Sequence, residues 1–214
     1  MLEAVIFDMD GVLVDSEPLK AESWEKVLAK YRVENGGKWY TARIGTPGKD
    51  IAKEAVREFS LSVSDEFLFR DNRSLYLGMS EERATPIYSS IKFLESIPDY
   101  VKIGVASSEY KRVIERKMEL IGINGFIQAI TSGVEEVTHD KPHPEVYLRT
   151  AEKLGVLPEK CLAVEDSRTG VESAKNANMR CIGFRNPNSG NQDFSRADII
   201  VDDLTKLDIE KILQ

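Results

Sequence analysis

One short stretch near the start of the sequence, FDMDGVLVDSEP at residues 7–18, places three aspartates behind an apolar run. Asp8 and Asp10 are two residues apart, Gly11 follows them, and Asp15 completes the set. Carboxylates repel each other, so the stretch is either a solvated Asp-Gly turn or a site that holds a cation and does chemistry. An EF-hand loop does not fit, because the glycine comes too early and an apolar strand precedes the loop.

Three further sets of polar side chains follow apolar runs later in the sequence. They are Ser107 and Ser108 after KIGVA, Lys141 after FIQAI and its loop, and Glu165 and Asp166 after CLAV. In an open α/β sheet, the loops that leave the carboxyl ends of the strands meet at one edge. We therefore expect these side chains to lie near the aspartates of the first loop.

Together these residue types suit phosphoryl transfer to and from a carboxylate. Mg²⁺ prefers carboxylate and carbonyl oxygens and shares them with phosphate and water, so Asp8 and Asp166 are candidate ligands. Asp10 could protonate a leaving oxygen and later activate water. Lys141 is a compact charge suited to a phosphate oxygen, and hydroxyls and N–H groups at the helix start after Ser107 form an anion site.

Each set also has an ordinary structural explanation. Asp-Gly is common in turns, Ser107-Ser108 and Asp166-Ser167 are typical helix caps, and Lys141 alone would be a solvated lysine. Caps and turns do not require this order of residue types, so the four sets together favour the catalytic interpretation.

The apolar runs predict the fold. They are AVIF (4–7), VKIGVA (101–106), FIQAI (126–130), CLAV (161–164), CIGF (181–184) and DIIV (198–201). The stretches between most of them place apolar residues three or four apart, as helices do. Continuous apolar strands separated by helices are typical of a parallel sheet covered on both faces. We therefore predict a doubly wound, Rossmann-like α/β core.

Residues 17–85 interrupt this alternation, because they show helical patterns and no good strand. The interval is too long for one crossover in a compact sheet. We predict an α-helical cap at residues 17–85, inserted into a core of residues 1–16 and 86–214. Asp15 is expected to cap the first cap helix, and residues 186–193 (NPNSGNQD) to be a mobile, turn-rich loop.

The order of these motifs resembles the haloacid dehalogenase superfamily. The motifs are DMDGVLVDSEP, GVASS, DKPHPEVY and AVEDSRTGVESA. The chain is most similar to the branch with a helical cap after the first strand, which includes sugar-phosphate phosphatases and β-phosphoglucomutases. The resemblance implies the following roles: Asp8 as the nucleophile, Asp10 as general acid/base and Mg²⁺ ligand through its carbonyl, Ser107 as a phosphate ligand, Lys141 as the compensating charge, Asp166 as a metal ligand and Glu165 as a group acting through metal-bound water.

The resemblance predicts a Mg²⁺-dependent phosphatase that hydrolyses a small phosphate monoester, such as a sugar phosphate, through an aspartyl phosphate. Dehalogenases of the superfamily work without metal and lack the second aspartate, so Asp10 and Asp166 argue against that activity. Phosphonatases use a cap lysine as a Schiff base, and Lys20 and Lys49 leave this disfavoured alternative open. A binding module that has kept the fold would be favoured by loss of Asp8 or Asp10, and both are present.

A β-phosphoglucomutase-like phosphomutase is the second-ranked activity. Such mutases carry a histidine in the first cap helix and an arginine in the substrate loop of the cap. This chain has Lys20 near the first position and Gly48-Lys49 near the second, which weakens the mutase interpretation. Lys49, in the loop at residues 44–50, is a candidate substrate contact, although a solvated lysine explains it equally well.

Composition limits the partners. The formal net charge of −7 and the pI of about 5.1 argue against nucleic acid and anionic membranes. No apolar stretch approaches the ~20 residues of a membrane span, and we see no secretion signal. We expect a cytoplasmic monomer whose partner is a small phosphorylated metabolite. Cys161 and Cys181 should be buried thiols, with a disulfide as the second possibility. His139 and His143 lie too far from the cysteines in sequence to suggest a zinc site with them, and loop polarity explains the two histidines.

Overall fold

The computed structural model describes residues 1–214 and contains a six-stranded parallel sheet. The strands are β1 (Ala4–Phe7), β2 (Lys102–Ser107), β3 (Ala129–Ser132), β4 (Cys161–Glu165), β5 (Arg180–Phe184) and β6 (Ile199–Val201). Their order across the sheet is β3-β2-β1-β4-β5-β6, so the direction of winding reverses beside β1. This confirms the predicted doubly wound fold, and the reversal is where such sheets form their binding crevice.

The continuous apolar runs are explained by burial on both faces of the sheet. In β1, Val5 and Phe7 belong to one apolar cluster, whereas Ala4 and Ile6 belong to the cluster on the opposite face. All four side chains are fully buried, because successive residues of a strand point to opposite sides. One predicted run is displaced: β3 begins at Ala129, and the start of FIQAI lies in a short 3-10 helix instead.

Nine α-helices connect and cover these strands or form the insertion. They are α1 (Glu17–Ala29), α2 (Gly36–Thr41), α3 (Gly48–Glu58), α4 (Asp65–Glu82), α5 (Tyr88–Glu95), α6 (Lys111–Ile121), α7 (Glu145–Leu154), α8 (Arg168–Asn176) and α9 (Ile209–Leu213). None of them is long and apolar enough to cross a membrane.

The chain divides into two compact units by its contacts. Residues Met1–Asp15 and Ala84–Gln214 form the sheet unit, and Ser16–Arg83 form the helical unit with α1 to α4. These bounds describe contacts, and the predicted domain boundaries at 16/17 and 85/86 stay a prediction. The helical unit has its own apolar core, in which Trp24 stacks on Tyr40 with ring centroids 6.3 Å apart.

The predicted cap of the first inserted helix is wrong. The residue before α1 is Ser16, and Asp15 instead accepts a hydrogen bond of 2.7 Å from the side chain of Asn188. Proline at the start of α1 needs no N–H partner, which lowers the need for a side-chain cap there. Asp15 therefore fastens the end of the first loop to a loop late in the chain.

Candidate active site

The parallel register brings the ends of three strands together. Phe7 of β1 lies beside Val105 of β2 and Val164 of β4, so the residues that follow these strands are neighbours. Asp8 follows β1, and Glu165 is the last residue of β4. The predicted edge thus exists, and four loops contribute polar side chains to it.

Lys141 joins two of these carboxylates. Its ammonium nitrogen donates to Asp8 Oδ1 and to Glu165 Oε1, both at 2.6 Å, and to the carbonyl of Ala106 at 3.2 Å. The Lys141 side chain is 8% exposed, so it is not a solvated surface lysine. A buried cation shared by two buried carboxylates fixes all three groups with respect to the sheet.

Burial controls the protonation of this group. The pKa of Asp8 is raised to about 7, chiefly by burial; the Lys141 ammonium opposes this rise, and the charge of Glu165 adds to it. For Lys141, burial lowers the pKa, but the two carboxylates outweigh burial and leave its pKa above the usual value. Lys141 therefore stays charged at neutral pH. A cation beside Asp8 would lower the pKa of Asp8 and keep its carboxylate ionised.

Glu165 is held from several directions. Its Oε1 accepts a 2.7 Å hydrogen bond from the hydroxyl of Tyr147, and its Oε2 accepts 3.2 Å bonds from the Ser167 hydroxyl and the Asp166 N–H. A side chain at Gly170 would place its Cβ about 2.0 Å from the Glu165 carboxylate, so only glycine fits there. Glu165 is fully buried and positions Lys141.

Three carboxylates at this edge could hold a metal ion. Ligand atoms of Asp8, Glu165 and Asp166 lie within 4.8 Å of one another, and all three residues are buried. A Cβ at Gly11, whose φ is +87°, would come within 1.8 Å of Asp166 Oδ2, so the first loop approaches this carboxylate as only glycine allows. Hard oxygen donors of this kind fit Mg²⁺.

Asp10 has a lysine partner that the sequence analysis missed. Lys117 of α6 donates to Asp10 Oδ1 at 2.6 Å, and the Lys117 side chain is only 1% exposed. The two lysines, 117 and 141, face four carboxylates, at residues 8, 10, 165 and 166, so negative charge is in excess. A divalent cation would offset this excess.

The late loop at residues 186–193 also contributes to the site, although the sequence analysis assigned it no role. Asn186 donates to the carbonyl of Gly11 at 2.9 Å, and the hydroxyl of Ser189 forms a short hydrogen bond with Asp166 Oδ2. The side chains of Asn186 and Ser189 are buried. This loop thus supports both the first loop and a candidate metal ligand.

The two serines after β2 differ in their surroundings. Ser107 is the buried last residue of β2, whereas the exposed Ser108 donates to Asp140 Oδ1 at 2.6 Å. Neither serine caps the following helix, because α6 begins at Lys111 after Tyr110. In contrast, Ser167 does cap α8, accepting the N–H of Gly170. The phosphate-binding role of Ser107 and Ser108 stays a prediction.

Lys49 lies in the helical unit, exposed near the start of α3, and its substrate contact also stays a prediction. In the sheet unit, Cys161 and Cys181 are free and buried, as the sequence analysis predicted.

Comparison with known proteins agrees with this geometry. The family model described as haloacid dehalogenase-like hydrolase matches residues 5–184. The phosphorylated carbohydrates phosphatase of Thermotoga maritima is 32% identical over 190 residues, which cover 85% of this chain and 84% of the relative. Hexitol phosphatase B of Escherichia coli K12 is 31% identical over 228 residues, covering 98% of this chain and 96% of the relative.

The fold is also similar to that of a solved structure. The β-phosphoglucomutase of Clostridium difficile has a TM-score of 0.75 and 24% identity, with 99% of this chain and 96% of that chain covered. This likeness concerns the fold alone. The match over residues 5–184, together with the motifs at the sheet edge, shows that the chain belongs to the haloacid dehalogenase-like hydrolases.

Proposed function

We propose that this protein is a Mg²⁺-dependent phosphatase that hydrolyses a small sugar phosphate through an aspartyl phosphate on Asp8. The observation that carries the proposal is the buried arrangement in which Lys141 joins Asp8 and Glu165 beside the carboxylate of Asp166. The names of two relatives, a phosphorylated carbohydrates phosphatase and a hexitol phosphatase, support the substrate class.

In the first step, a carboxylate oxygen of Asp8 attacks phosphorus, and the bond from phosphorus to the sugar oxygen breaks. Asp8 is suited to this role because Lys141 holds it at the edge of the sheet, 8% exposed, where solvent does not displace it. The ammonium of Lys141 stabilises the charge on the transferring group. A bound Mg²⁺ supplies further positive charge for the phosphate oxygens and favours ionised carboxylates.

Asp10 handles the protons. It gives a proton to the departing sugar oxygen, and it later takes a proton from the water that cleaves the aspartyl phosphate, so the enzyme returns to its starting state. Lys117 holds the Asp10 carboxylate by a 2.6 Å hydrogen bond from the buried side of α6. The Asp10 side chain is 17% exposed, which leaves it accessible to substrate and water.

Phosphate release from a panel of sugar phosphates and p-nitrophenyl phosphate tests the proposal. We expect release with Mg²⁺, none with a chelator, and a loss of roughly 10⁴-fold or more in Asp8→Asn. The matched control is Asp99→Asn, which changes an exposed aspartate and should release phosphate at the wild-type rate.

The same panel separates the alternatives. Conversion of a hexose 1-phosphate to an isomer, without release of free phosphate, would show that the protein is a phosphomutase and not a phosphatase. A protein that binds Mg²⁺ and phosphate but neither releases nor moves a phosphoryl group would be a binding module, and the proposal would fail.

A further inference from the structure

A second group of side chains that could bind a metal ion lies around the short segment that carries Lys141. His139 Nδ1 lies 3.2 Å from Glu145 Oε2, and His143 Nδ1 lies 3.7 Å from the same oxygen. The centroids of the two imidazole rings are 4.5 Å apart, and the ring planes make an angle of 37°. These three residues are distinct from the carboxylates at residues 8, 165 and 166.

The carboxylate of this group is fixed before any ion arrives. The backbone N–H groups of Thr138 and His139 donate to the two oxygens of Glu145 at 2.9 and 3.1 Å. Glu145 is also the first residue of α7, so its backbone is part of a helix. A ligand that is already held in place loses little conformational entropy when it binds an ion.

The backbone of His143 is fixed in the same way. Its N–H donates to the carbonyl of Asp140 at 3.0 Å, and its own carbonyl accepts the Ser173 hydroxyl at 2.6 Å. The side chain of His143 is 48% exposed and that of His139 is 62% exposed, so an ion can reach both rings from solvent.

The spacing fits one transition-metal ion. Two ligand atoms at about 2.1 Å from a tetrahedral Zn²⁺ lie about 3.4 Å apart, between the two histidine–glutamate distances given above. Imidazole selects Zn²⁺ over Mg²⁺, whereas the all-oxygen set at the sheet edge has the opposite preference. Three protein ligands leave a fourth position for water.

We propose that His139, His143 and Glu145 bind one Zn²⁺ ion that clamps the segment carrying Lys141. The ion would join both ends of the sequence His139-Asp140-Lys141-Pro142-His143 to the start of α7, and so restrain the backbone of the catalytic lysine. This binding does not rest on the proposed phosphatase activity, and its test uses no turnover.

The chain contains only two histidines, so its histidine NMR signals report on this group alone. We would titrate the untagged protein with Zn²⁺ in the presence of excess Mg²⁺, and measure stoichiometry by equilibrium dialysis. We expect one bound Zn²⁺ and a joint change of both histidine Hε1 signals. Exchange of the backbone amide hydrogens of residues 138–145 should slow in the same titration.

Two glutamates of α7 provide a matched comparison. Glu145→Gln removes a ligand and should weaken Zn²⁺ binding by ~10–100-fold or more. Even the loss of a residue that only hydrogen-bonds to a metal ligand has an effect of this size. Glu152→Gln changes an exposed glutamate paired with Arg149 and should bind like the wild type. Asp166→Asn, at the other carboxylate set, should also keep the affinity.

The outcomes separate the possibilities. Equal affinities of Glu145→Gln and Glu152→Gln, a change in only one histidine signal, or loss of Zn²⁺ binding in Asp166→Asn would overturn the proposal. In those cases the contacts of Glu145 would be hydrogen bonds alone. Unchanged thermal unfolding of each variant without Zn²⁺ would exclude a folding defect as the cause of lost binding.

Discussion

Carboxylate–lysine pairs occur at the sheet edge and in the helical unit, but the two regions differ in burial and in charge balance. At the sheet edge, Lys141 is 8% exposed and is shared by Asp8 and Glu165. In the helical unit, Lys30 is 52% exposed and contacts both oxygens of Asp71. Exposed pairs contribute about 0–1 kcal/mol, whereas removing one partner of a buried pair costs about 3–5 kcal/mol.

The difference distinguishes an exposed ion pair, which only adds stability, from the buried cluster of charges at the candidate site. The helical unit matches charges near solvent, where water can replace either partner. The sheet edge collects more carboxylates than lysines and buries most of them, which is costly unless a cation offsets the excess negative charge. Burial with unequal charge, rather than the presence of ion pairs, therefore distinguishes the candidate site.

The largest expected effect is that of Lys141→Met. The variant leaves the Asp8 and Glu165 carboxylates buried without their shared cation, so phosphate release should be lost and unfolding should require about 3–5 kcal/mol less free energy. Denaturant unfolding with a chelator measures the second effect. Lys30→Met, the control in the helical unit, should change stability by about 1 kcal/mol or less.

The double variant Lys141→Met with Asp8→Asn sharpens this comparison. It removes one of the two uncompensated charges and should be more stable than Lys141→Met alone. Equal losses in the Lys141 and Lys30 variants would mean that burial does not distinguish the two regions.

A smaller and more selective effect is expected for Lys117→Met. If Lys117 positions Asp10 for proton transfer, kcat/KM should fall roughly 10²-fold for a sugar phosphate, whose leaving oxygen needs a proton. The fall should be much smaller for p-nitrophenyl phosphate, whose leaving group departs as an anion. Lys117→Arg should recover part of the loss, because its charge can also reach the carboxylate.

The neighbouring Arg116 provides the control for this experiment, since it is exposed and paired with Glu119. Arg116→Met should leave both substrates unaffected. Equal losses on the two substrates in Lys117→Met would assign Lys117 a purely structural role.

Ser189→Ala should act on metal binding rather than on the chemical step. The Ser189 hydroxyl bonds to Asp166 Oδ2, and loss of such an outer partner typically weakens metal affinity about 10–100-fold. The Mg²⁺ concentration for half-maximal phosphate release should rise by this factor, with kcat at saturating Mg²⁺ preserved. Ser195→Ala, at an exposed serine, is the control, and a fall in kcat alone would contradict the prediction.

The pH dependence of stability tests the burial of Asp8 without substrate or metal. In the metal-free protein, burial raises the pKa of Asp8 to about 7, above the value near 4 of an unfolded aspartate. The folded state then binds the extra proton between these values, so the contribution of Asp8 is present below pH 4 and is lost as pH rises towards 7.

Asp8→Asn removes this titration. With chelator, the unfolding free energy of the variant minus that of the wild type should therefore increase from pH 4 to pH 7, as measured by denaturant titrations. A difference that is constant over this range would show that Asp8 ionises normally in the folded protein.

The sequence predicted which candidate site residues follow strands and lie together at one edge of the sheet. Asp8, Glu165 and Asp166 come directly after continuous apolar runs, and parallel strands bring such positions together whatever the distance in sequence. The order of polar loops was therefore informative before any side chain was placed, and so was the doubly wound sheet. The predicted cap at Asp15 was wrong because a distant asparagine, at residue 188, competes for its carboxylate.

The missed residues reach the site from places without a local motif. Lys117 and Asp10 are 107 positions apart, and the local sequence around either residue does not predict a contact with the other. A weak signal existed, because residue 117 falls on the apolar stripe formed by Val113, Ile114, Met118 and Ile121, where a lysine needs a partner. Ser189 gave no such signal, since serine and asparagine are ordinary in turns.

The contacts of Gly170 have a consequence for engineering. Replacing glycine by alanine within a helix is a common way to raise thermal stability, usually by about 0.5–1 kcal/mol. Gly170 lies inside α8, yet the added methyl group would occupy the space of the Glu165 carboxylate. Engineering for stability should therefore leave Gly170 unchanged and place stabilising substitutions on the surface of the helical unit.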